Sequence, residues 1–77
     1  MKTVLIVDDS KSMRMMIEAT LSSKYNVIQA EDGMVGLHLA KQNQFDLIVS
    51  DINMPNMNGY EMVTEIKKLP NYKTVYT

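Results

Sequence analysis

A chain of 77 residues has room for one small domain and excludes a second, since ordinary domains run to roughly 100–150 residues. The absence of cysteine excludes a disulfide scaffold and any thiolate zinc site, and leaves a reducing cytoplasm as the natural compartment. Eight basic residues stand against nine acidic ones with no like-charge run longer than two, which excludes the electrostatic footprint of a nucleic-acid binder.

The chain opens with one lysine and a short apolar run that ends in two aspartates, far too short for a signal peptide or a membrane span. Three times it then passes from a β-branched or aliphatic run, through polar or glycine residues, into a segment of helical period. This rhythm predicts βαβαβα. The first strand, Thr3 to Val7, is apolar at consecutive positions, as a central strand of a parallel sheet must be when both faces are covered. Ser10 is a good N-cap for the first helix, whose Met13, Met16, Ile17 and Leu21 form a stripe expected to face the sheet.

The second strand, Asn26 to Ala30, is interrupted by Gln29 and suits an edge. Asp32-Gly33 opens the second helix, which runs to about Gln42. Met34, Leu37 and Ala40 are placed toward the sheet, leaving Val35 and Leu39 bare on the other side. The third strand, Asp46 to Ser50, is again continuously apolar through Leu47, Ile48 and Val49. Asn58 with Glu61 reads as a capping box for a third helix carrying Met62, Val63, Ile66 and Leu69, which Pro70 ends. Right-handed crossovers with two strong strands and one weak one favour the parallel order 2-1-3. Residues 70–77 leave room for a short strand at Thr74 to Thr77 but not for its helix.

Asp8 and Asp9 follow the first strand directly, and Asp51 follows the third, 43 positions after Asp8. If those strands are parallel neighbours, the three carboxylates meet at the carboxyl edge of the sheet, where open α/β folds bind ligands. A single aspartate in such a place reads as a helix cap. Three together repel one another and call for a hard divalent cation. Magnesium fits best, because it takes one or two carboxylates and keeps positions for water and a phosphate oxygen. No glycine-rich phosphate loop follows the first strand, which disfavours a nucleotide or flavin site. His38, the single histidine, and the methionines read as ordinary helix surface and core residues.

The strings Val4-Leu5-Ile6-Val7-Asp8-Asp9-Ser10, Glu31-Asp32-Gly33 and Asp51-Ile52-Asn53-Met54-Pro55-Asn56-Met57-Asn58-Gly59, in this order and spacing, resemble the receiver domain of bacterial response regulators. The resemblance runs from about Lys2 to Leu69 and corresponds to the first three of the family's five βα units. It implies a flavodoxin-like (CheY-like) three-layer α/β fold, truncated after the third helix or an incipient fourth strand. It also implies that residues 1–77 form a single truncated receiver, with three units in 1–69 and a tail in 70–77. By position, Asp51 becomes the phosphoacceptor, and Asp8, Asp9, Asp51 and the backbone carbonyl of Asn53 become the Mg2+ ligands. The implied partner is a histidine kinase or a small-molecule phosphodonor, so the chain at most modifies itself.

The family completes its site with a hydroxyl residue after strand four and a lysine after strand five. Thr77 lies 26 positions after Asp51, short of the usual separation, and the lysine position is not present; Lys11 and Arg14 read as solvated helix charges. An apolar third strand without a fourth beside it has an open edge, which predicts a homodimer or a domain-swapped assembly. The second class of function is therefore a non-catalytic interaction module that works through this edge.

Overall fold

The computed structural model describes residues 2–69. The strand expected at Thr74 to Thr77, the tail tyrosines and Thr77 itself lie outside the described residues. Six elements alternate: β1 (Thr3–Val7), α1 (Lys11–Leu21), β2 (Asn26–Ala30), α2 (Gly33–Gln42), β3 (Leu47–Ser50) and α3 (Gly59–Lys67). The three strands are parallel in the order β2-β1-β3. In register, Val7 of β1 faces Ala30 of β2 on one side and Ser50 of β3 on the other.

The continuously apolar β1 is central and buried from Val4 to Val7, at 0–1% exposure. Its neighbours differ in sequence for the same reason that they differ in place: β2 at one edge holds only Ala30 fully buried. β3 begins at Leu47, one residue later than the expected Asp46. Asp46 lies beside Thr3, with its N–H donating to the Thr3 carbonyl and its carboxylate accepting from the Thr3 N–H at 2.8 Å.

Right-handed crossovers that leave β1 for β2 and then return past β1 to β3 put α1 on one face of the sheet and α2 on the other. The face shared by α2 and α3 holds the main core, where Leu5, Val7, Ala30 and Ile48 meet Ala40, Phe45, Met62 and Ile66. Burying the larger of these side chains, all but the two alanines, stabilises by roughly 1.5–3 kcal/mol each.

Two expectations about helix faces are corrected. No residue of α1 is buried, and Met13 and Met16, expected to face the sheet, are 46% and 65% exposed; Ile17 and Leu21 are half-buried instead. The cause is that, among the described residues, α1 has no helix beside it on its face, so nothing closes over its flanks. On α2, Met34 points to solvent at 52% exposure, whereas Val35 and Leu39, expected to be bare, pack against the core together with Leu37. Here α2 is wedged between the sheet and α3, and burial reaches around both of its sides. Gly36 sits at that wedge, where a Cβ would stand 2.7 Å from the Met62 sulfur and 3.0 Å from Val7.

Candidate functional site

The parallel register brings the ends of β1 and β3 side by side. The Asp8 N–H donates to the Ala30 carbonyl at 3.1 Å and the Asp51 N–H to the Val7 carbonyl at 2.9 Å, so the ladder continues one residue past each strand. Asp8, Asp9 and Asp51 consequently converge: each offers a carboxylate oxygen, and these oxygens lie within 4.8 Å of one another. Asp8 is half-buried, while Asp9 and Asp51 are exposed.

Backbone donors orient two of the three. One oxygen of Asp8 accepts the Ser10 N–H at 2.9 Å, just before Ser10 caps α1 by accepting from Met13. One oxygen of Asp51 accepts the Ile52 N–H at 2.8 Å. The single ion pair among the described residues joins Lys68 to Glu65 at the end of α3, so none of the three carboxylates is ion-paired among them. Oxygens around an octahedral Mg2+ at about 2.0–2.1 Å are separated by up to about 4.2 Å. The 4.8 Å spread of the cluster is a little wider than this, and a small rotation of the side chains would bring these hard oxygen donors, one carboxylate anchored on each of two adjacent strands, to such an ion.

Arg14 is not the solvated helix charge that its sequence position suggests. Half-buried, it donates from one guanidinium nitrogen to the Asp8 carbonyl at 2.6 Å and from Nε to the Gln29 side chain at 3.0 Å. It thus clamps the main chain of the β1–α1 turn to β2. Gln29, the residue that breaks the apolar run of β2, is there as its partner. Lys11 and His38 are exposed, as expected.

Opposite this turn, residues 51–58 form the loop between β3 and α3, with Asn53 exposed two residues after Asp51. The loop ends in the expected capping box, with Asn58 accepting from the Glu61 N–H at 2.9 Å and Glu61 accepting from the Asn58 N–H at 3.3 Å. The Gly59 N–H donates to the Ile52 carbonyl at 2.9 Å, and a Cβ at Gly59 would fall on the Asp51 carbonyl oxygen. Asp32, read from sequence as part of a turn that opens α2, is 7% exposed and its two oxygens serve different partners. The Val35 N–H and the Asn56 side-chain amide, with a smaller contribution from the Met34 N–H, hold its carboxyl below the usual carboxylate range against the opposing effect of burial.

With this geometry in view, comparison with known proteins is specific. The family model of the response regulator receiver domain matches residues 4–76. The chain belongs to the response regulator receiver domain family. The receiver is 46% identical over 66 residues to histidine kinase P4 of Formosa agariphila, covering 86% of this chain and 5% of the kinase. To the probable transcriptional regulator ycf29 of Pyropia yezoensis it is 40% identical over 67 residues, covering 87% of this chain and 30% of that protein. The receiver therefore spans less than a third of either relative.

Among solved structures, the chemotaxis response regulator CheY4 of Vibrio cholerae superposes with a TM-score of 0.92 at 42% identity, covering 97% of this chain and 65% of CheY4. The response regulator TrrA of Thermotoga maritima, solved in complex with Mg2+–BeF, superposes with a TM-score of 0.90 at 32% identity, covering 97% of this chain and 66% of TrrA. The receiver thus has the CheY-like flavodoxin fold with strands ordered 2-1-3. No helix among the described residues is long and apolar enough to cross a membrane.

Proposed function

We propose that this receiver is a phosphoacceptor of a two-component relay, taking a phosphoryl group onto Asp51 from a histidine kinase or a small phosphodonor in the cytoplasm. The observation that carries the reading is the meeting of three carboxylate oxygens from Asp8, Asp9 and Asp51 within 4.8 Å at the carboxyl ends of adjacent parallel strands. Asp8, Asp9 and Asp51 with the Asn53 carbonyl would hold Mg2+, which would supply positive charge against the phosphoryl oxygens. A receiver solved with Mg2+–BeF superposes on this chain, which supports the same assignment.

The protein's own part is positioning. The Ile52 N–H fixes one Asp51 oxygen and leaves the other to attack phosphorus. The new O–P bond forms as the P–N bond of the phosphohistidine breaks; the electron pair returns to the imidazole nitrogen, and Asp51 becomes an aspartyl phosphate. Incubation with acetyl phosphate and Mg2+ tests the reading: one phosphoryl adduct by intact mass, lost on chelation, supports it, and no adduct in conditions that modify another receiver contradicts it.

A second reading rests on β3. Among the described residues its outer edge has no strand beside it, and Leu47 and Val49 are only half-buried. Such an edge suits pairing with a second copy as a homodimer, including a domain-swapped one. Self-association unaffected by Mg2+ or by Asp51→Asn supports this non-catalytic role, and a monomer at high micromolar concentration contradicts it.

A further inference from the structure

Away from the acidic pocket, Asp32 is the one buried carboxylate among the described residues. Its oxygens are divided between two tasks. One accepts the Val35 N–H at 2.9 Å and caps α2, and the other accepts the Asn56 side-chain amide at 2.8 Å, across 24 positions of sequence. A backbone bond runs beside it, from the Gly33 N–H to the Met57 carbonyl at 3.2 Å. Gly33 is required for that approach, because a Cβ there would fall on the same carbonyl oxygen. The start of α2 and the β3–α3 loop are thus joined by two adjacent bonds.

The loop is bent where it is held. Asn56 has φ of +67° and is, among the described residues, the only non-glycine with positive φ; the Met57 N–H donates to the Pro55 carbonyl at 2.7 Å around it, as in a γ-turn. This conformation is unfavourable for a residue with a side chain and persists where its surroundings hold it. Asparagine tolerates it better than most residues. Asn53 lies three positions before this bend, with Pro55 and its restricted φ between them.

We infer that Asp32 and Asn56 form a positioning latch that fixes the β3–α3 loop against α2 and thereby holds the main chain of Asn53 beside Asp51 for metal binding. The inference rests on the reading of the pocket as a Mg2+ site and adds two residues to it that touch neither metal nor phosphate. Partners that orient metal ligands are worth roughly 10–100-fold in affinity, and a latch acting through three residues of loop should be worth less, about 3- to 10-fold.

The test is Mg2+ titration by calorimetry on three folded proteins: the wild type, Asn56→Gly, and a double variant that combines Asp32→Asn with Asn56→Asp. Asn56→Gly removes the amide and keeps the positive φ accessible, so backbone strain does not confuse the result. The double variant keeps the net charge and rebuilds the bond in reverse: the new amide at position 32 caps Val35 through its oxygen and donates to the new carboxylate at position 56. Expected are Mg2+ binding weakened about 3- to 10-fold in Asn56→Gly and affinity within about twofold of wild type in the double variant. Equal binding by wild type and Asn56→Gly, or a double variant as weak as Asn56→Gly, overturns the latch alone. A wild type that takes up no Mg2+ overturns the reading of the pocket, and the latch's role with it.

Discussion

The Asp51 N–H donates to the Val7 carbonyl at 2.9 Å, so the proposed phosphoacceptor is bonded to the residue directly before Asp8. That one bond ties the two halves of the acidic pocket together without any side chain taking part. It extends the β1–β3 ladder by one residue, past the Val7–Ser50 pair. The main chain at Asp8 and Asp51 is therefore held by the sheet itself, and substitutions of the carboxylates should alter chemistry with little effect on the fold.

Replacing Asp9 by Asn is the clearest case. Asp9 is exposed, and removing its charge relieves repulsion within the cluster. Asp9→Asn should leave the urea midpoint unchanged or raised while Mg2+ affinity falls at least about tenfold by calorimetry. Unchanged Mg2+ affinity would remove Asp9 from the ligand set.

Arg14→Met should act in the other direction, on stability first. It removes a charge-assisted bond to the Asp8 carbonyl and leaves that carbonyl and the Gln29 side chain in need of partners. A loss of about 1–3 kcal/mol in urea unfolding is expected. A change below about 0.5 kcal/mol, ordinary for a surface substitution, would return Arg14 to the role of a solvated charge.

Gly59→Ala adds a methyl group that falls on the Asp51 carbonyl oxygen. Alanine is the better helix former, so propensity alone favours the variant. The close approach wins instead, and the variant should be destabilised by about 1–3 kcal/mol. Measured stabilisation would show that the loop yields easily at this point.

Asp32 links stability to acid. Its carboxyl is held below its ordinary value of 3.8 in the folded chain, so the unfolded chain binds the proton more readily. The stabilisation from the ionised form is complete above that ordinary value and disappears as pH falls through the lower folded one. At neutral pH, Asp32→Ala should cost about 2 kcal/mol through loss of the helix cap and an unpartnered Asn56 amide. The gap between wild type and variant in urea unfolding should narrow as pH drops below 3.8; a gap that widens would reverse the sign of the linkage.

The sequence carries those features that depend on local pattern. The strands are legible because β1 and β3 are unbroken apolar runs and β2 is not, and the same contrast sets the order 2-1-3. The Asn58–Glu61 capping box is legible because both of its bonds join residues three apart. The convergence of Asp8, Asp9 and Asp51 follows from placing each directly after a strand in that order.

Features that depend on what lies opposite an element are not legible in this way. The methionine stripe of α1 has the spacing of a buried face, yet no second helix comes beside it among the described residues, and Met16 stays 65% exposed. On α2 the apparent sheet-facing stripe is displaced, because Gly36 lets the helix sink against Met62 and Val7 and rolls Val35 and Leu39 into the core. The Arg14–Gln29 and Asp32–Asn56 bonds span 15 and 24 positions, and no periodicity announces them. Their one sequence trace is a polar residue, Gln29, where a strand is otherwise apolar.

Phosphorylation of Asp51 itself can be read out chemically. The direct measurement is to treat the chain with acetyl phosphate and Mg2+, reduce the product with borohydride, which converts an aspartyl phosphate to homoserine, and map the peptides by mass spectrometry. Homoserine is expected at position 51 alone, absent when Mg2+ is chelated and absent in Asp51→Asn. Modification at Asp8 or Asp9 instead, or an adduct that persists in Asp51→Asn, would contradict it.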